Sequence, residues 1–120
     1  MNGQFSSLDE FWPFYLSQHL NRTNRKLHFA GTTAALILLA LGAARLSPVL
    51  LAAAVLAGYG SAWVGHFFFE KNSPATFQYP LLSFRADCRM YALTWTSELD
   101  AELLRLTVQI REARRIHERQ

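Results

Sequence analysis

Residues 27–69 read LHFAGTTAALILLALGAARLSPVLLAAAVLAGYGSAWVGHFFF, and Arg45 is the only full charge between Phe29 and Phe69. A surface helix of a soluble domain would interrupt such a run with a recurring polar face. Here the one interruption is the short stretch Arg45-Leu46-Ser47-Pro48. The pattern predicts two helices, over 27–44 and 49–69, joined by a tight turn and therefore antiparallel. At about 1.5 Å per residue each is roughly 27–31 Å long, enough to cross the hydrocarbon core of a bilayer. Gly58, Gly60, Ser61, Ala62 and Gly65 give the second helix a small-residue character that permits close contact. The fold class read from this block is an all-α membrane protein built on an antiparallel transmembrane helix hairpin. The alternative is a hairpin buried in a soluble helical protein, but a chain of 120 residues leaves little to cover two spans of this length.

Working outward, the N-terminal side is amphipathic. Ser7 and Glu10 have capping-box spacing, and Leu8, Phe11, Trp12, Tyr15, Leu16 and His19 form one stripe at helical spacing. Pro13 predicts a kink, or a helix that starts near it. The stretch Asn21-Arg22-Thr23-Asn24-Arg25-Lys26 reads as a turn and a new helix start. On the C-terminal side, Pro74 and Pro80 punctuate a loop. Leu81, Phe84, Cys88, Tyr91 and Trp95 then repeat at helical spacing on a segment too charged to span. Aromatic-rich amphipathic helices of this kind suit a membrane interface. Residues 1–95 are thus expected to form the membrane-embedded domain. Residues 96–120 are expected to form a charged amphipathic helix in the cytoplasm, packed on the domain or paired with a second copy.

Charge supports the same picture. The net charge is +3 with no Lys/Arg-rich tract, which argues against nucleic acid and suits lipid head groups. Arg22, Arg25 and Lys26 precede the first span, and Lys71, Arg85 and Arg89 follow the second. By the positive-inside rule both termini are cytoplasmic. One cysteine, Cys88, excludes an intrachain disulfide. Acids early and bases late in the first 26 residues are the reverse of a cleavable signal, so the apolar segments are expected to be retained.

The histidines carry the chemistry. His28 opens the first span and His66 lies near the end of the second, each roughly 25 Å from the hairpin tip. An antiparallel pair brings them to one level. His19 would diverge from His28 on a continuous helix, but the break at Asn21–Asn24 lets both rings face one space. Glu70 follows His66 by four residues, on the same helical face. His117 reads as a solvated residue. Three neutral imidazoles, or two with a carboxylate from Glu70 or more weakly Asp87, would hold Fe(2+) with positions left open. The plain alternative for each histidine is an interfacial hydrogen-bonding group.

Three blocks carry a further signal: His19-x-Asn21-x-x-Asn24-Arg25-x-x-His28-x-x-Gly31-Thr32; Gly58-Tyr59-Gly60-x-Ala62-Trp63-x-Gly65-His66-Phe67-x-Phe69-Glu70-x-Asn72-x-Pro74-Ala75-Thr76-Phe77-x-Tyr79-Pro80; and Ser83-x-x-x-Asp87-x-x-Met90. Together they resemble the 2-hydroxy fatty acid dioxygenase family of Mpo type, formerly a domain of unknown function, over about residues 8–95. The resemblance implies an Fe(2+)-dependent membrane enzyme of fatty acid α-oxidation. It would use dioxygen to shorten a 2-hydroxy fatty acid by one carbon, with His19, His28 and His66 matching the required histidines. It implies the endoplasmic reticulum for a eukaryotic member and the plasma membrane for a bacterial one.

Within that chemistry, Arg22 or Arg25 would pair with the substrate carboxylate, or else anchor lipid phosphates. Glu70 lies beside the metal. Asn21, Asn24 and Asn72 would orient imidazoles or cap helices. Asp87 is a supporting carboxylate, and Tyr59 and Tyr79 would line the pocket. Two other classes compete: a b-type haem protein with His28 and His66 as axial ligands, and a non-catalytic membrane module. A membrane di-iron enzyme needs many more histidines than the four present.

Overall fold

The computed structural model describes residues 5–119. Among them are five α-helices and no strand: α1 (Leu8–Ser17), α2 (Arg22–Ala44), α3 (Pro48–Val64), α4 (Pro80–Trp95) and α5 (Leu99–Arg119). A π-helical turn, Gly65–Glu70, continues α3, and a short 3₁₀ turn, Ala75–Phe77, precedes α4.

Local chemistry sets the boundaries. Ser7 Oγ accepts the Glu10 N–H at 3.2 Å and caps α1. The Glu10 carboxylate reaches back to the Ser6 N–H and hydroxyl, at 2.9 and 2.8 Å, one residue earlier than a capping box requires. α1 starts at Leu8 with Pro13 inside it, not at Pro13. The ring removes one bond, to the carbonyl of Asp9, an exposed residue where water can replace it. α2 starts at Arg22, more than a turn before the expected Leu27, because Asn21 Oδ1 accepts the Asn24 N–H at 3.1 Å. The break between α1 and α2 is therefore Gln18–Asn21, not Asn21–Asn24, and His19 sits in the link.

The hairpin turn is equally defined. Leu46 adopts φ 51°, and the Ser47 N–H bonds the Gly42 carbonyl at 2.8 Å, closing α2 in a Schellman arrangement. Ser47 Oγ then accepts the Leu50 N–H at 3.2 Å and caps α3, with Pro48 in the first turn. Pro48–Glu70 continues to the expected end of the second span, but its last turn is π-helical. The sequence reading did not anticipate that turn.

α2 and α3 approach closely. A Cβ on Gly31 would stand 2.5 Å from Ser61 Cβ and 2.9 Å from the Ala57 carbonyl oxygen, so only glycine fits. Most of this hairpin is uncovered: Leu36, Ile37, Leu39, Val49, Val55 and Leu56 are all exposed. The apolar core lies at its other end, where Phe11, Trp12, Tyr15 and Leu16 of α1 meet Ala86 and Met90 of α4 and Leu99 and Leu106 of α5. Leu99 and Leu106 thus place the start of α5 in the same core as α1. The Arg89 guanidinium lies 4.5 Å over the Trp12 ring and 3.3 Å from Asp9, tying α4 to α1. Leu81, Phe84, Cys88 and Trp95 are exposed on α4, while Ser83, Ala86 and Met90 are buried.

Gly31→Ala is expected to destabilise the hairpin by about 1–3 kcal/mol, the usual cost of overpacking. Gly60→Ala, where an added Cβ meets nothing within 4 Å, is the neutral control. Unfolding of the micelle-bound chain by a denaturing detergent, followed by circular dichroism, measures both.

Candidate metal centre

Three separate elements converge on one buried point. The α1–α2 link supplies His19, the second turn of α2 supplies His28, and the π-turn after α3 supplies His66. Ring centroids are 4.7 Å apart for His19–His28, 4.6 Å for His19–His66 and 5.1 Å for His28–His66. One nitrogen from each ring lies within 4.8 Å of the other two. All three residues are buried, at 1 %, 6 % and 2 % exposure.

The other nitrogens are fixed from outside. His19 Nδ1 lies 2.6 Å from the Tyr15 carbonyl oxygen, an acceptor only, so the ring donates there. His66 Nδ1 lies 2.7 Å from Asn72 Oδ1. That amide is oriented in turn, because Asn72 Nδ2 donates to the Gln18 carbonyl at 3.1 Å and to Gln18 Oε1 at 3.2 Å. His28 Nδ1 faces Asp87 Oδ1 at 4.0 Å, too far for a hydrogen bond but close enough for the anion to favour a proton on that nitrogen. Asp87 is held by the Tyr15 hydroxyl, which donates to Oδ1, and the Tyr15 ring stacks on His19 at 4.0 Å. Each contact favours the tautomer with Nδ1–H, leaving the Nε2 lone pair to the centre.

Those lone pairs have no protein partner: His19 Nε2 and His28 Nε2 are sealed from solvent and make no hydrogen bond. Buried polar atoms are normally satisfied, so orphans converging on one point call for a ligand. Burial, and then the two neighbouring imidazoles, push His19 protonation well below its ordinary range. A neutral imidazole is what a metal ion requires. Burial raises the Asp87 carboxyl to about 6, against the opposing Tyr15 hydrogen bond. The donor set therefore fits a divalent metal that accepts nitrogen ligands, and it leaves coordination positions unused.

The remaining expected residues fall elsewhere. Neither Glu70 nor Asp87 joins the ligand group, which consists of the three histidines. The π-turn changes the register that would have put Glu70 and His66 on one face. Glu70 Oε1 instead accepts the Asn21 N–H at 2.9 Å and Asn24 Nδ2 at 3.0 Å, a carboxylate at the positive end of α2. Asn24 is fully buried, and a Cβ on Gly65 would overlap its Oδ1, so glycine lets the π-turn reach α2. Asn21 caps α2 and also donates to the Phe69 carbonyl at 3.3 Å. Arg25 Nη1 donates to the carbonyls of His19 and Leu20, at 2.9 and 2.8 Å, and so fixes the link that presents His19. Arg22, Arg25 and Lys26 line a separate cavity of about 310 Å³. His117 is exposed, as expected.

A cavity of about 360 Å³ contains the three histidines. It runs between α2 and α3 past Thr32, Leu36 and Leu39 on one wall and Ala62, Tyr59 and Val55 on the other. From His28 to Leu39 it follows the helix for roughly 16 Å. Tyr59 thus lines it, while Asp87, Ser83 and Cys88 face it from α4.

Residues 5–99 match the family described as Mpo1-like, 2-hydroxy-palmitic acid dioxygenase Mpo1-like. The chain belongs to that family. No curated protein and no solved structure matches it. The matched span of this Mpo1-like chain holds every residue of the metal centre and ends as α5 begins. Sequence reasoning missed Tyr15, Gln18 and Ser83 as parts of the site. Tyr15 sits four residues before His19, the spacing that puts its carbonyl under the ring, but it reads first as one member of an apolar stripe.

Asn72→Ala is expected to weaken metal binding about 10- to 100-fold, the usual cost of losing a partner that orients a ligand. Competition titration with a chromophoric chelator measures it, and the exposed His117→Ala leaves affinity unchanged.

Proposed function

We propose that this protein is a membrane-embedded, Fe(2+)-dependent dioxygenase that shortens 2-hydroxy fatty acids by one carbon. The observation that carries the reading is the buried trio of imidazoles, with Nε2 of His19 and of His28 unpartnered, at the head of an apolar cavity in a chain of this family. His19, His28 and His66 would hold the ferrous ion, which supplies the activation of dioxygen.

The protein's own part is placement. A 2-hydroxy acid presents a carboxylate and a hydroxyl at one end and an alkyl chain at the other. The head would enter among the histidines. The chain would lie along the groove past Ala35, Leu36 and Leu39, where the walls are apolar. Tyr15, Asn72 and Asp87 keep the imidazoles oriented and Nδ1-protonated.

Membrane insertion is supported by the two long helices. Arg22–Ala44 and Pro48–Glu70 have mean hydropathies of 1.8 and 1.5, yet only 17 % and 11 % of those windows are buried within the protein. Core helices of a soluble protein would be mostly covered. In this reading the hairpin crosses the bilayer and α1 and α4 lie at the interface. By the positive-inside rule, the bases at the hairpin's open end support cytoplasmic termini, and the membrane would be the plasma membrane in a bacterium or the endoplasmic reticulum in a eukaryote.

A haem slung between His28 and His66 is disfavoured by His19, whose ring stands 4.7 and 4.6 Å from theirs and occupies the space a macrocycle would need. The protein loaded anaerobically with Fe(2+) and then given 2-hydroxypalmitate and dioxygen should yield pentadecanoate by mass spectrometry. His28→Ala should yield none. Wild-type protein carrying stoichiometric iron that forms no shortened acid would contradict the assigned reaction.

A further inference from the structure

The substrate reading leaves one charge without an obvious partner. A 2-hydroxy acid brings a carboxylate into the histidine cavity, yet among the described residues no lysine or arginine lines it. Arg22, Arg25 and Lys26 line the other cavity; Arg25 Nη1 donates to two backbone carbonyls, and Arg25 meets His28 and Asp87 only at a pocket of about 10 Å³. Asp87 faces the histidine cavity but is itself an acid. The Tyr15 hydroxyl already serves Asp87, and the Tyr91 hydroxyl is paired with Thr33 at 2.8 Å.

Ser83 is different. It lines the same cavity, is 2 % exposed, and its Oγ is sealed from solvent without a hydrogen-bond partner. A serine inside a helix commonly bonds the carbonyl four residues earlier. Here the Tyr79 carbonyl takes the Ser83 backbone N–H at 2.8 Å, and the hydroxyl bonds nothing. Ser83 lies one helical turn before Asp87, on the same inner face of α4, and Asp87 Oδ1 is 4.0 Å from His28 Nδ1. The orphan hydroxyl is therefore at the histidine end of the cavity. A buried donor without an acceptor lowers stability until a ligand satisfies it.

We propose that Ser83 is a substrate-binding residue whose Oγ–H donates a hydrogen bond to the carboxylate of the 2-hydroxy acid. This rests on the substrate reading above. Donation to an ionised acceptor is stronger than to a neutral one, so the contact would favour the acid over an uncharged lipid of the same length.

The test is equilibrium binding to the full chain in nanodiscs, loaded with redox-silent Zn(2+), with 2-hydroxypalmitate and 1,2-hexadecanediol as probes. Ser83→Ala should weaken the acid about tenfold, the effect of one charge-assisted bond, and change the diol less than about twofold. Zinc stoichiometry should be unchanged, and the thermal midpoint the same or higher, since an unsatisfied hydroxyl has been removed. Wild-type acid affinity in the variant overturns the inference and leaves the substrate reading standing. An equal loss for the diol, or a fall in the midpoint, assigns Ser83 to packing and also overturns it. No binding of the acid by the wild-type chain overturns the substrate reading and this inference with it.

Discussion

Three imidazole rings with one nitrogen each within 4.8 Å of the other two, and no hydrogen-bond donor among those nitrogens, form the constraint on which the rest of this structure depends. Each ring can satisfy one nitrogen from outside, and the surrounding shell does so at the Nδ1 side. The Tyr15 carbonyl and the Asn72 amide provide acceptors, and the Asp87 carboxylate provides a field. The inner nitrogens are left facing each other. Such an arrangement is costly in a folded chain unless a cation or a hydrogen-bond donor occupies the centre. Much of the architecture serves to maintain it. Arg25 pins the link that bears His19. Glu70 binds the end of the π-turn to the start of α2. Gly65 lets those two segments meet.

The division of the molecule follows from the same site. The packed core is gathered around α1, α4 and α5, at the histidine end. The hairpin projects from it with its leucines and valines uncovered. Two helices this long, this apolar and this uncovered suit a bilayer. The cavity bridges the two regions, polar where the histidines sit and apolar along the helices. An amphiphile with a chelating head and a long tail matches both halves.

What could be read in the sequence was what depends on long-range periodicity and length. The uncharged block fixed two helices and a turn, and equal distance from that turn placed His28 and His66 at one level. His19 was recoverable because capping residues after it signal a break in the helix. The π-turn was not legible, because Gly65–Glu70 has the composition of an ordinary helix end, and its register depends on contacts with Asn21 and Asn24. The four-residue spacing from His66 makes Glu70 a candidate beside the metal, whereas its hydrogen bonds run to Asn21 and Asn24 at the α2 N-terminus. Arg25 is a similar case. A basic residue near a predicted acid-binding site suggests a counter-ion, but its partners are the carbonyls of a link whose path no periodicity reveals. Ser83 is visible only as a spaced member of a motif, and Asp87 only as a weaker carboxylate candidate; their distinct roles depend on which face of α4 turns inward.

X-ray absorption at the iron edge of the anaerobically reconstituted chain tests the central claim most directly. The account predicts one ferrous ion per chain with imidazole scattering from three histidines, and loss of that signal when His19, His28 or His66 is replaced. A haem spectrum, a site without imidazole, or iron retained unchanged in all three variants would contradict it.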